Sequence, residues 1–339
     1  MPDFSIVTRG SHRTAAKGAD RDEPRGGDGS AGLSMQIYLP IAELSLNVLL
    51  LLLMGFAVGF LSGMFGVGGG FILTPLLIFL GVPPAVAVGT GASQVVAASV
   101  SSAAGHWRRN NIDVQMGMVL IGGGFVGAAL GVQVLFYLRA LGQLELFVTL
   151  AYVILLGTVG GLMLMESVRT LRASPAKAGM RSRRGGQHTW MDGLPLKFRF
   201  RHSRIYASAI PFVGIGVVIG LLTGIMGVGG GFLLVPAMIY LLRIPTRIVI
   251  GTSTFQIVCV AGFATILQAA LNYSVDLALS VPLMAGSVVG AQFGVGYSQR
   301  FKAEQLRALL AIIVVAVAVR MAFGLVVPPT DIFSLDDAQ

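Results

Sequence analysis

Two glycine runs, Gly66-Val67-Gly68-Gly69-Gly70 and Gly227-Val228-Gly229-Gly230-Gly231, are the residues of this chain whose type and spacing invite chemistry. Each precedes an apolar stretch, from Phe71 and from Phe232. Consecutive glycines weaken a helix by about 1 kcal/mol each relative to alanine. A glycine turn opening a helix leaves free N–H groups at the positive end of the helix dipole, which suits an anion. No Lys-Ser/Thr follows the glycines, so this is not a nucleotide phosphate loop. The structural alternative is close helix packing through small residues.

A second pair of elements follows at matched distance. Gly89-Thr90-Gly91-Ala92-Ser93-Gln94 corresponds to Gly251-Thr252-Ser253-Thr254-Phe255-Gln256. Thr, Ser and Gln supply neutral donors that hold an oxyanion without a fixed positive charge. Interhelical hydrogen bonding is the competing use for them. The expected binding set is therefore Gly68, Gly69, Gly70, Thr90, Ser93 and Gln94 with Gly229, Gly230, Gly231, Thr252, Ser253 and Gln256. Asp113 and Asp276 stand at matching loop ends and read as helix caps. His106, beside Trp107, Arg108 and Arg109, reads as an interfacial residue, with proton relay as the alternative. Arg320 interrupts the last apolar segment and either snorkels or attracts anions.

The elements that position these residues are membrane spans. The chain has 339 residues, 55% hydrophobic and 12% charged, with a mean hydropathy of +0.81. A soluble domain carries about 25% charged residues. Positions 44–105 hold 62 residues without one Asp, Glu, Lys or Arg, and 205–242 and 248–275 are also uncharged. A span needs about 20 apolar residues, so these stretches contain several.

The net charge of +9 lies in the loops rather than in a nucleic-acid-binding pattern, and no nucleic-acid partner is expected. Residues 167–204 carry ten Lys and Arg against one acid, Asp192, which places that loop in the cytoplasm of a plasma-membrane (inner-membrane) protein. Cys259 is the only cysteine, which excludes an internal disulfide and a thiolate metal site. No HExxH, GxSxG or His–carboxylate cluster is present, so neither an enzyme nor a cofactor is expected.

Self-comparison divides the chain in two. GFLSGMFGVGGGFILTP (59–75) matches GLLTGIMGVGGGFLLVP (220–236), and GFVGAALGV (124–132) matches SVVGAQFGV (287–295). Apolar segments fall at 44–63, 68–81, 86–105, 115–138 and 143–166, then at 207–225, 229–242, 248–271, 277–298 and 303–327. The second of each set is too short to span and reads as a half-helix. An odd number of segments makes the second half enter from the opposite side. The expected fold is an all-α integral membrane protein of two inverted-topology repeats with about five helical segments each.

The expected organisation is a polar, disordered tail over 1–40, repeats at 41–166 and 207–327, a basic cytoplasmic loop at 167–206, and an acidic tail at 328–339. Met35 is the expected translation start, because the residues before it have a disordered composition.

The doubled G-x-x-[ST]-G-x-x-G-[VI]-G-G-G-F-x-x-x-P run followed by G-T-x-x-x-Q resembles the sulfite exporter TauE/SafE family over residues 40–327. That resemblance implies a membrane transporter exporting sulfite, sulfoacetate or another organosulfur anion, with the glycine turns and Thr/Ser/Gln stretches as its site. A coupling proton or sodium ion is a further expected partner, alongside the anionic substrate and the lipid bilayer. The alternatives are an anion channel, or a non-transporting membrane scaffold acting through the basic loop.

Overall fold

Apolar runs interrupted at glycine and proline dictate a sequence of helices, and a computed structural model shows them. It describes residues 36–42, 44–172, 197–200, 205–242, 244, 246–300 and 303–326. The expectations for residues 1–35 of the N-terminal tail, the Met35 start, the acidic tail at 328–339 and most of the basic loop lie outside those residues, while Gln36–Leu39 of the expected tail form a strand.

The first half contains α1 (Val48–Phe65), α2 (Gly70–Phe79), α3 (Pro84–Trp107), α4 (Val114–Ala140) and α5 (Leu144–Arg172). The second contains α6 (Ala209–Met226), α7 (Gly231–Pro236), α8 (Thr246–Leu267), α9 (Leu277–Tyr297) and α10 (Ala303–Val326). One π-helical turn (Ala237–Leu241) prolongs α7, and another (Gln268–Asn272) prolongs α8. Among the described residues, eight helices are long and apolar enough to cross a membrane, while Gly70–Phe79 is shorter. At 1.5 Å per residue α2 reaches only about 15 Å. The chain is an all-α integral membrane protein, as its sequence indicates.

Two small hairpins escape the hydropathy pattern. Strands β1 (Gln36–Leu39) and β2 (Leu44–Asn47) pair antiparallel ahead of α1. Strands β3 (Lys197–Phe200) and β4 (Ile205–Ser208) do the same ahead of α6. Strands of four residues carry too few positions for alternation to be visible. Each hairpin ends in a helix cap: Asn47 accepts from the Leu49 N–H and Ser208 from the Ile210 N–H.

Helices of opposite halves pack through small residues. Gly55, Gly59 and Gly63 of α1 lie against the backbone of Leu283, Ser287 and Ala291 of α9. Gly216, Gly220 and Gly224 of α6 lie against Leu120, Gly124 and Ala128 of α4 in the same manner. The numbers rise together in both cases, so each pair runs parallel. Backbone-on-backbone contact of this kind is how helices associate without a hydrophobic driving force between them. Ser93 and Ser280, Ser101 and Val288, and Arg109 and Val295 are joined by hydrogen bonds, which sets α3 parallel to α9 as well.

Candidate functional site

Helix α1 stops at Gly66 and α6 at Gly227, both left-handed with φ of 70° and 67°. Gly68, Gly69, Gly229 and Gly230 also have positive φ, between 67° and 85°. A β-carbon disfavours this conformation by about 1–2 kcal/mol per residue, which accounts for the glycines. Gly69 and Gly230 are then the N-caps of α2 and α7, and neither helix has a side-chain cap.

The two turns, 161 residues apart in sequence, abut in space. A β-carbon on Gly70 would stand 2.7 Å from the Gly227 carbonyl oxygen, and one on Gly231 2.5 Å from that of Val67. The rings of Phe71 and Phe232, the next residues, have centroids 5.9 Å apart. Val95 and Ile257 cover the junction: a β-carbon on Gly68 would meet them at 3.0 and 3.3 Å. Thus the structure brings together all six expected glycines.

The Thr, Ser and Gln residues divide by their partners. The Thr90 hydroxyl accepts from the Asp276 N–H at 3.1 Å, and the Thr252 hydroxyl accepts from the Asp113 N–H at 3.0 Å. Ser93 donates to the Thr90 carbonyl and shares a 2.6 Å hydrogen bond with the Ser280 hydroxyl. The Ser253 hydroxyl contacts the carbonyl oxygens of Gly66 and Ile250, each at 2.9 Å. These four hydroxyls tie one half to the other around the turns.

Gln94 and Gln256 differ. Both are fully buried, and neither the amide nitrogen nor the oxygen of either has a hydrogen-bond partner within the protein. Leaving a buried polar group unsatisfied costs about 1–3 kcal/mol. In sequence each glutamine directly precedes a residue covering the glycine junction, Val95 or Ile257.

Two residues of this region were not legible as site residues. Ser62, in the last turn of α1, is buried with an unpartnered hydroxyl and lies next to Gly69. Its counterpart Thr223 donates to the Ile219 carbonyl. The signal was the [ST] position of the repeated motif. His106 is buried, 4% exposed, and both ring nitrogens lack a partner within the protein. Its counterpart Gln268 donates to the Gly224 carbonyl and accepts from the Asn272 amide. Asp113 and Asp276 cap α4 and α9, accepting from Met116 N–H and from Ala278 and Leu279 N–H. Arg320 lies over the Phe79 ring at the end of α2, 4.6 Å from its centroid.

Eight candidate spans around a core of abutting glycine turns, among the described residues, define a multi-pass membrane protein. Residues 51–321 match the family described as Sulfite exporter TauE/SafE, and the chain belongs to that family. It is 30% identical to the probable membrane transporter protein YjnA of Bacillus subtilis, over 80% of this chain and 98% of that one. It is 29% identical to a probable membrane transporter protein of Xylella fastidiosa, over 78% of this chain and 91% of that one. A third relative, YunE of Bacillus subtilis, also carries the name probable membrane transporter protein, at 22% identity over 82% and 98% of the two chains. No solved structure matches the chain. The protein is a membrane transporter, acting on a small substrate within a lipid bilayer.

Proposed function

We propose that the protein is a secondary transporter of the plasma (inner) membrane that exports a small oxyanion, sulfite or an organosulfonate. The carrying observation is the pair Gln94 and Gln256: equivalent in the two halves, fully buried, unpartnered, and each one residue before a side chain that covers the glycine junction. An oxyanion accepts hydrogen bonds only, and a glutamine amide with free N–H donors suits it. The backbone N–H groups opening α2 and α7 are the second donor set. Thr90, Ser93, Thr252 and Ser253 form the walls that hold those donors in place. A neutral site also releases its ligand, which a buried Arg or Lys would hold tightly. Coupling to a proton or sodium ion belongs to the same proposal.

Inverted topology supports alternating access about this centre. The end of α2 returns to the start of the first half, since Gly81 faces Leu44. Three further helices, α3 to α5, then bring the chain to the opposite side before α6. The parallel pairing of α1 with α9, and of α6 with α4, fits two halves related by a two-fold axis in the membrane plane. In this orientation the basic loop at 167–206 is cytoplasmic.

The test is uptake of radiolabelled sulfite into inside-out vesicles holding wild type, Q94A or Q256A. At least a tenfold loss of flux in both variants, at equal protein level, is expected. Equal flux in all three samples overturns the site. Flux that accumulates against a gradient separates a carrier from a channel, and transport surviving deletion of 177–197 separates it from a scaffold.

A further inference from the structure

A cavity of about 300 Å³ lies between the C-terminal end of α3 and helix α9, away from the glycine junction. Ser101, Arg108, Arg109, Gln292 and Val295 are among its lining residues. One guanidinium nitrogen of Arg109 donates to the Val295 carbonyl at 2.9 Å, which anchors that side chain on α9. The remaining guanidinium N–H groups of Arg109 and the guanidinium of Arg108 are left over for an anion. Gln292 adds an amide from the facing helix. Compensation of the α3 dipole would explain cations at the helix end. It would explain neither the cavity nor a glutamine contributed by α9.

The internal duplication provides a built-in control. At the counterpart of Ser101 stands Phe263; at those of Arg108 and Arg109 stand Ala270 and Leu271; at that of Gln292 stands Ala129. The Phe263 ring packs on Phe125 with centroids 4.9 Å apart. The same place in the fold is thus apolar at one membrane interface and doubly cationic at the other. Fold requirements alone do not demand the arginines.

Exposed apolar side chains stand next in sequence to the lining residues Ser101, Arg108 and Gln292. Val100, Trp107 and Phe293 are 49%, 56% and 57% exposed. A free oxyanion has no use for such flanks, whereas acyl chains do. Basic pockets between membrane helices recognise acidic lipid headgroups in this way. We propose that this cavity binds the phosphate of an anionic phospholipid in the leaflet at the C-terminal end of α3. Arg108 and Arg109 pair with the phosphate, Gln292 donates to the headgroup, and the chains run along Val100 and Phe293. The proposal rests on the membrane fold and is independent of the solute carried.

The test uses the full chain in neutral detergent, with phosphatidylglycerol, phosphatidylcholine of the same acyl chains, or inorganic phosphate. Lipid retention is read by native mass spectrometry, and unfolding temperature is followed in parallel. Wild type should retain phosphatidylglycerol selectively and gain unfolding temperature from it alone. R108Q/R109Q should lose at least tenfold in retention, and R108K/R109K should keep most of it, because a lysine still pairs with phosphate. Equal retention by wild type and R108Q/R109Q, or of the two lipids by wild type, overturns the proposal. So does stabilisation by inorganic phosphate equal to that by phosphatidylglycerol, which would mark a free-oxyanion site. If R108Q/R109Q fails to fold, Q292L is measured instead, with a selective loss expected and unchanged retention counting against the site.

Discussion

The hydroxyl of Thr90 accepts a hydrogen bond from the backbone N–H of Asp276, 186 residues away, at 3.1 Å. The Asp276 carboxylate meanwhile caps α9 through Ala278 and Leu279 and accepts from the Ile41 N–H. Thr252 and Asp113 repeat the contact in the other half at 3.0 Å. Each half thereby fixes the start of the other half's fourth helical segment. Valine in place of either threonine keeps the shape and strands a buried N–H, at a cost of about 1–3 kcal/mol. T90V and T252V should each lower the unfolding temperature in detergent, by similar amounts. No change in either would show that the clamps carry no stability.

Glycine zippers should be intolerant where backbones touch. Gly59 faces the Ser287 backbone, whereas nothing lies within 4 Å of where a β-carbon on Gly122 would stand. G59A should destabilise by about 1–3 kcal/mol through overpacking, and G122A should be neutral or mildly stabilising. Comparison of their thermal unfolding decides this; equal shifts would refute the packing argument.

Gln94 and Gln256 should show opposite effects on stability and activity. Replacing a buried unpartnered amide with leucine removes its desolvation cost. Q256L is expected to unfold at a higher temperature than wild type while losing most sulfite flux. Lost stability together with retained flux would mean that the amide is a structural group.

Crowding and backbone strain can be separated at Gly229. A β-carbon there would lie 2.5 Å from the Val95 Cγ1 atom, and φ is +74°. G229A should be strongly impaired in expression as folded protein, and V95A should rescue it in part. The residue of the defect reflects left-handed strain of about 1–2 kcal/mol. A double-mutant cycle measures the coupling, and strict additivity would exclude the contact.

Asn110 and Tyr273 occupy corresponding loops and are the described non-glycine residues with positive φ, 53° and 49°. Both are exposed. In a C259A background, N110C and Y273C should react with an impermeant maleimide from opposite sides of the membrane, N110C from the cytoplasm. Labelling of both from one side would refute the inverted arrangement.

The membrane class, the duplication and the five segments per half were legible in the sequence, because hydropathy and self-similarity are local properties. The glycine turns were legible too, since three adjacent glycines in an apolar run have few purposes. Less legible was the division of labour within GTGASQ and GTSTFQ. Thr90 and Ser93 satisfy neighbours some 187 residues away, whereas Gln94 satisfies none within the protein. Partnering of a hydroxyl depends on what the fold sets opposite it, and nothing in six consecutive letters records that.

By itself the sequence determined that this chain lives in a bilayer as two related halves with a broken helix in each. Spacing of apolar and glycine residues decides that through the energetics of burying backbone in hydrocarbon. Only the tertiary structure decided that Gly70 meets Gly227, that Val95 and Ile257 cover the junction, and that His106 is buried while Arg108 and Arg109 line a cavity. Those are contacts between separate segments of the chain, many of them from opposite halves, or between faces of one helix. They follow from which helices pair through their small residues, and pairing is a property of the folded chain.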